Sequence, residues 1–160
     1  MIDFDKTKHK VAIIAPASAC ANSDEATERL EKLISFFKSR EIQTIYDKNI
    51  FAGDKLAYFA ASAFERKKQL ENALLDPEVR IIFAFRGGYG CSNIAFDFLN
   101  VKLLEPKILI GFSDITVLHT LFNQYYNMPS IHGPMDARNP DALQRVIDVF
   151  AGAESLIDLS

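Results

Sequence analysis

Three short apolar runs constrain this chain more than any other feature. Val11–Ala15, Val79–Phe85 and Pro106–Ile110 are rich in Val and Ile, and each is cut short by a Pro, Gly or polar residue. Runs of this length and composition suit strands buried on both faces of a sheet. Ile42–Tyr46 reads as a further short strand, and Ser130–Ile131 as a fifth. Helical spacing fills the gaps. Leu30, Leu33, Ile34 and Phe37 recur up to about Ser39, with Ser23 or Asp24 as the cap. Phe59 to Leu75 reads as a helix whose solvated part is Glu65–Lys68, stopped by Asp76-Pro77. Cys91–Leu99, Ile115–Tyr125 and Asp141–Phe150 complete the set. Strand and helix alternate throughout, which predicts an α/β fold: three layers, a mostly parallel sheet between helices.

With 160 residues, 49% of them hydrophobic, the chain has enough apolar side chains for one domain core. The net charge of −3 and the scattered basic residues argue against a nucleic-acid partner. Residues 6–20 imitate a signal sequence, but their apolar part, Val11–Ala15, ends at Pro16. A signal core needs roughly 7–15 apolar residues, so the segment reads as a first strand. No run is long enough to span a membrane. Cys20 and Cys91 show no metal-ligand spacing and read as reduced thiols of a cytosolic protein.

Parallel α/β sheets bind ligands at the carboxyl ends of their strands. The loops 16–23, 86–90 and 111–114 fall on that edge, joined by 132–134 if 130–131 is a strand. Ser113 follows an apolar strand and Gly111 and precedes a helix. That is the setting of a nucleophile elbow, although Ile115 stands where G-x-S-x-G has its second glycine. Serine and aspartate also cap helices, and on local grounds capping is the commoner role. Arg86-Gly-Gly-Tyr-Gly90 can present backbone N–H groups to a phosphate or an oxyanion, or be a plain tight turn. Arg86 either receives a carboxylate or forms a surface ion pair.

A serine nucleophile needs a base. Of the three histidines, His9 precedes the first strand and belongs at the opposite edge. His119 lies six residues past Ser113, so at ~100° per residue it turns away and packs on the sheet. His132 reaches the right edge, but its direction is not fixed by pattern. Cys91 is either a thiol activated at a helix N-terminus or, with no histidine partner evident, a small buried residue.

Taken together, "RGGYGCSNIAFDFL" at 86–99, "PKILIGFSDITVLH" at 106–119 and "HGPM" at 132–135 resemble the LD-carboxypeptidases. "VAIIAPAS" at 11–18 and "ERKKQLENALLDPEVRIIFAFRGGYG" at 65–90 extend the resemblance over roughly residues 10–135. That family includes murein tetrapeptide carboxypeptidases and self-immunity proteins against the peptide-nucleotide antibiotic microcin C. The resemblance implies a cytosolic serine hydrolase that needs neither metal nor cofactor. It would release a terminal D-residue, typically D-alanine, from recycled cell-wall muropeptides. It implies Ser113 as nucleophile and the backbone N–H groups of Gly88 and Asp114 as oxyanion hole. Arg86, Gly87 and Tyr89 would bind substrate. The implied fold is flavodoxin-like, as in class I glutamine amidotransferases, and the implied full-length protein is a homodimer. The family's triad is Ser-Glu-His, with its Glu and His in a C-terminal domain, and its members run to about twice this length. Residues 1–160 are therefore expected to be a single N-terminal nucleophile domain lacking the rest of the triad. Two other readings stand beside this one: an amidase for microcin-like peptidyl nucleotides, and a non-catalytic module binding phosphate or nucleotide at Gly87–Gly90.

Overall fold

The computed structural model describes residues 4–20, 23–51, 58–99, 101–103, 105–134, 136 and 138–151. Its sheet consists of β1 (Lys10–Ile14), β2 (Gln43–Ile45), β3 (Val79–Ala84), β4 (Ile108–Gly111) and β5 (Ser130–His132). Their order is β2-β1-β3-β4-β5, and every neighbouring pair is parallel. The helices are α1 (Ser23–Lys38), α2 (Ala63–Leu75), α3 (Ser92–Ala95), α4 (Thr116–Tyr125) and α5 (Pro140–Ala151), with 3₁₀ turns at Phe96–Phe98 and Ser113–Ile115.

The chain steps from β1 to β2 in one direction and from β2 onward in the other. Right-handed crossovers therefore put α1 on one face of the sheet and α2, α3 and α4 on the other. Just past α1, Arg40 donates through Nε to Gln144 Oε1 at 2.6 Å, which draws α5 to the α1 face. This is the three-layer, flavodoxin-like arrangement expected. Its switch point, where a ligand crevice opens, lies between the carboxyl ends of β1 and β3.

The central strand explains why the apolar runs read so clearly. Val79, Ile81, Ile82, Phe83 and Ala84 are all 0% exposed, so both faces of β3 are covered. Phe37 of α1 meets Phe83 edge-on at 5.7 Å, while Leu70, Ala73 and Leu74 of α2 are buried as well. The run at 106–110 contains a charge, Lys107, which is fully buried. Its ammonium donates to the carbonyls of Asp76 and Val79, each at 2.7 Å, so the apolar strand tolerates it.

Several boundaries differ from expectation. α2 starts at Ala63, not Phe59, because Ser62 caps it: Ser62 Oγ accepts the Glu65 N–H at 3.3 Å and donates to the Glu65 carboxylate at 2.9 Å. Phe59 instead bridges to Ser18 in an antiparallel pair. Within α2, Arg66 is not part of a solvated stretch; it is 1% exposed. The helix expected over 91–99 is one α-turn followed by a 3₁₀ turn, and β4 starts at Ile108 rather than Pro106. Asp24 lies inside the first turn of α1 with Glu25, and the side chain of Ser23 falls outside the described residues.

Candidate active site

β4 ends at Gly111, and Phe112 leaves it in extended conformation, with φ −146° and ψ 177°. Ser113 then adopts φ +62°, a left-handed conformation that a serine takes at a cost of ~1 kcal/mol or more. The turn projects Ser113 to the surface at the carboxyl edge of the sheet. Among the described residues its hydroxyl has no hydrogen-bond partner, and no side-chain bond caps the 3₁₀ turn it begins. The capping role is therefore overturned. A cap holds its hydroxyl on a backbone N–H two or three residues on, and this hydroxyl makes no such bond. Ile115, which breaks the G-x-S-x-G pattern, is fully buried, and its side chain fills the space over Gly111 that a Cβ would occupy.

The Gly-rich loop closes on this serine. A Cβ on Gly87 would stand 2.9 Å from Ser113 Cβ, 3.0 Å from the Phe112 carbonyl and 3.3 Å from Ser113 Oγ. Only glycine permits that approach. Gly88 has φ +120° and lies against Ser18, whose Oγ a Cβ there would meet at 2.3 Å. Among the described residues the N–H groups of Gly88 and Asp114 have no protein acceptor. The Asp114 carboxylate takes the N–H of Cys91 at 2.9 Å, tying the serine turn to the end of the Gly-rich loop. Arg66 braces the loop from below, donating to Pro16 O at 2.6 Å, Gly90 O at 2.9 Å and Ala61 O at 3.1 Å, with its guanidinium on the Phe59 ring.

Ser18 and Arg66 escaped the sequence reading. The signal for Arg66 was present: it shares a helical face with Leu70, Ala73 and Leu74, which only a buried position explains.

Arg86 is half-buried and, among the described residues, makes no ion pair, so the surface pairing considered for it is not seen. Tyr89 is exposed, its ring 6.3 Å from that of Phe59. His9 accepts the Asp5 N–H ahead of β1, at the opposite edge. His119 is buried as its angle predicted; its Nε2 lies 3.0 Å from Gly111 O, and burial holds its pKa below the ordinary 6.5. His132, at the end of β5, stacks edge-on to Phe112 and makes no hydrogen bond to Ser113. The Cys91 thiol is raised by burial and by the Asp114 carboxylate, so it is a small buried residue and no nucleophile. Among the described residues no group of three or more His, Cys, Asp or Glu could hold a metal ion, and no helix is long and apolar enough to cross a membrane.

Fold and edge together define a class: a parallel α/β domain that presents an exposed serine on a strained strand-to-helix turn, backed by glycines. Comparison with known sequences narrows this. The chain belongs to the LD-carboxypeptidase N-terminal domain family, whose family model matches residues 11–133. It is 34% identical over 131 residues to the murein tetrapeptide carboxypeptidase of Pseudomonas aeruginosa, covering 79% of this chain and 39% of that protein. Among solved structures it resembles muramoyltetrapeptide carboxypeptidase from Oxalobacter formigenes, with TM-score 0.68 and 28% identity over 88% of this chain and 47% of that one. An MccF-like protein from Streptococcus pneumoniae, in complex with AMP, shares the fold at TM-score 0.75 and 15% identity, covering 92% and 46%. The chain thus spans less than half the length of these relatives.

Proposed function

We propose that this chain is the N-terminal nucleophile domain of a cytoplasmic serine LD-carboxypeptidase that releases D-alanine from cell-wall muropeptides during peptidoglycan recycling. One observation carries the reading: Ser113 is exposed on a positive-φ turn, its hydroxyl without a partner among the described residues and Gly87 packed against it. Ser113 Oγ attacks the carbonyl of the terminal peptide bond. Its proton passes to a histidine, oriented by a glutamate, both supplied from outside residues 1–160. The N–H groups of Gly88 and Asp114 hold the oxyanion. The C–N bond then breaks, D-alanine leaves with the proton, and water hydrolyses the acyl-serine. Arg86, which makes no ion pair among the described residues, receives the substrate's terminal carboxylate, while Gly87 and Tyr89 line the approach. The full-length protein acts as a homodimer.

Support for a muropeptide substrate comes from relatives at 28–34% identity whose names specify murein or muramoyl peptides. The peptidyl-nucleotide alternative leans on a neighbour at 15% identity, which bears on the fold alone. Against a purely phosphate-binding loop stands α3: at four residues it offers little dipole behind the glycines.

The test is D-alanine release from a cell-wall tetrapeptide by the protein expressed from its whole reading frame. Ser113→Ala is expected to abolish it. Release at the wild-type rate by that variant would end the proposal.

A further inference from the structure

Ser18 grips two successive peptides of the Gly-rich loop. Its N–H donates to Gly87 O at 3.4 Å, and its Oγ accepts the Tyr89 N–H at 3.0 Å. It is 8% exposed and fills the space beside the Gly88 Cα, where φ is +120°. The direction of the Gly88 N–H follows from this. No peptide here is cis, and in a trans peptide C=O and N–H point to opposite sides. With Gly87 O turned toward Ser18, the N–H of the same peptide, that of Gly88, is turned away from Ser18. Gly87, on the other flank, lies against Ser113.

A Gly-Gly peptide has little of its own to hold it. Lacking both Cβ atoms, it can rotate through conformations closed to other residues, and a flip would withdraw the N–H. Ser18 opposes that flip at both ends: a donor holds the carbonyl before Gly88, and an acceptor holds the N–H after it. Arg66 fixes the base of the device by bonding Pro16 O on the β1 side and Gly90 O on the loop side.

We infer that Ser18 is a positioning residue of the active site, locking the Gly87–Gly88 peptide so that the Gly88 N–H faces the oxyanion formed on Ser113. The inference rests on the proposed catalytic role of Ser113. Ser18 touches no reacting atom; it acts through Gly88.

The test compares Ser18→Ala, Ser18→Cys and Ser113→Ala in the protein expressed from its whole reading frame. Cysteine keeps the volume against Gly88 but accepts an N–H weakly, so it decides the question should the alanine variant not fold. Loss of an oxyanion donor lowers kcat by about 10²–10³, so its misplacement in the two Ser18 variants is expected to lower kcat about 10- to 100-fold, with KM within about threefold. A boronic acid analogue, whose oxygen occupies the oxyanion position, loses affinity in parallel, whereas an uncleavable substrate amide does not. Wild-type kcat in the Ser18 variants, alongside an inactive Ser113→Ala, would overturn the role of Ser18 and leave the nucleophile intact. A fall in melting temperature with kcat unchanged would do the same. Activity in Ser113→Ala would instead remove the reading beneath it.

Discussion

At the scale of single residues, the site depends on close approaches that leave no slack. Gly87→Ala would drive a Cβ to 2.9 Å from Ser113 Cβ and 3.0 Å from the Phe112 carbonyl. Backbone cannot yield there, and a displacement near 1 Å costs a reacting group about 100-fold, so turnover should fall by that order in a steady-state assay. His119 offers a second prediction. Burial favours its neutral form, and its Nδ1 is buried without a partner while Nε2 meets Gly111 O. The folded-state pKa is therefore below 6.5, and the unfolded chain takes up the proton first as pH falls. Stability contributed by neutral His119 is present above about pH 6.5 and lost below it. Urea midpoints measured from pH 7.5 to 5 should decline on that account, and less steeply in His119→Gln. The sequence displayed Ser113, its surroundings and, through the family resemblance, its expected role, but not its backbone conformation. A positive φ is set by tertiary context, and a dipeptide pattern such as Ser-Asp carries no trace of it.

The elements were legible where burial is two-sided. β3 and β4 are covered on both faces, so their sequences are continuous apolar runs, and the parallel topology followed from the alternation. Helix ends were less legible, because a cap is a local bond that competes with apolar periodicity. Ser62 wins that competition by accepting the Glu65 N–H and donating its hydroxyl to the Glu65 carboxylate, leaving Phe59 to bridge to Ser18. Ser62→Ala is expected to cost about 1 kcal/mol in a chemical unfolding curve. Arg66 was hidden for a different reason. A charge in a run of charges reads as solvent-facing, yet this one is buried because three carbonyls and an aromatic ring receive it. Arg66→Met preserves length but leaves those carbonyls unserved, and should destabilise the fold by about 2–4 kcal/mol. The ordinary core behaves as ordinary cores do: Phe37→Ala, removing a fully buried ring set against Phe83, is expected to cost about 3–5 kcal/mol.

At the scale of the whole molecule, the candidate site is open on one side. Among the described residues it holds a serine and two N–H groups without a protein acceptor but no placed base: His119 is turned into the sheet and His132 makes no bond to Ser113. Under the proposed function, the 160-residue chain by itself is expected to release D-alanine at no more than a trace rate, and the protein from the whole reading frame at a rate orders of magnitude higher; parallel assays at equal molarity check this. The layered topology adds a temporal consequence. Ser18 follows β1, the Gly-rich loop follows β3 and Ser113 follows β4, so the bond from Tyr89 to Ser18 closes a separation of 71 residues. The single crossover from β3 to β4 can bring the Gly-rich loop to Ser113, but the bond that Ser18 adds also needs β1, and non-local pairings form slowly. Reactivity at Ser113 is thus a clock. A serine-directed reagent added during refolding should mark only chains whose three central strands have already zipped together.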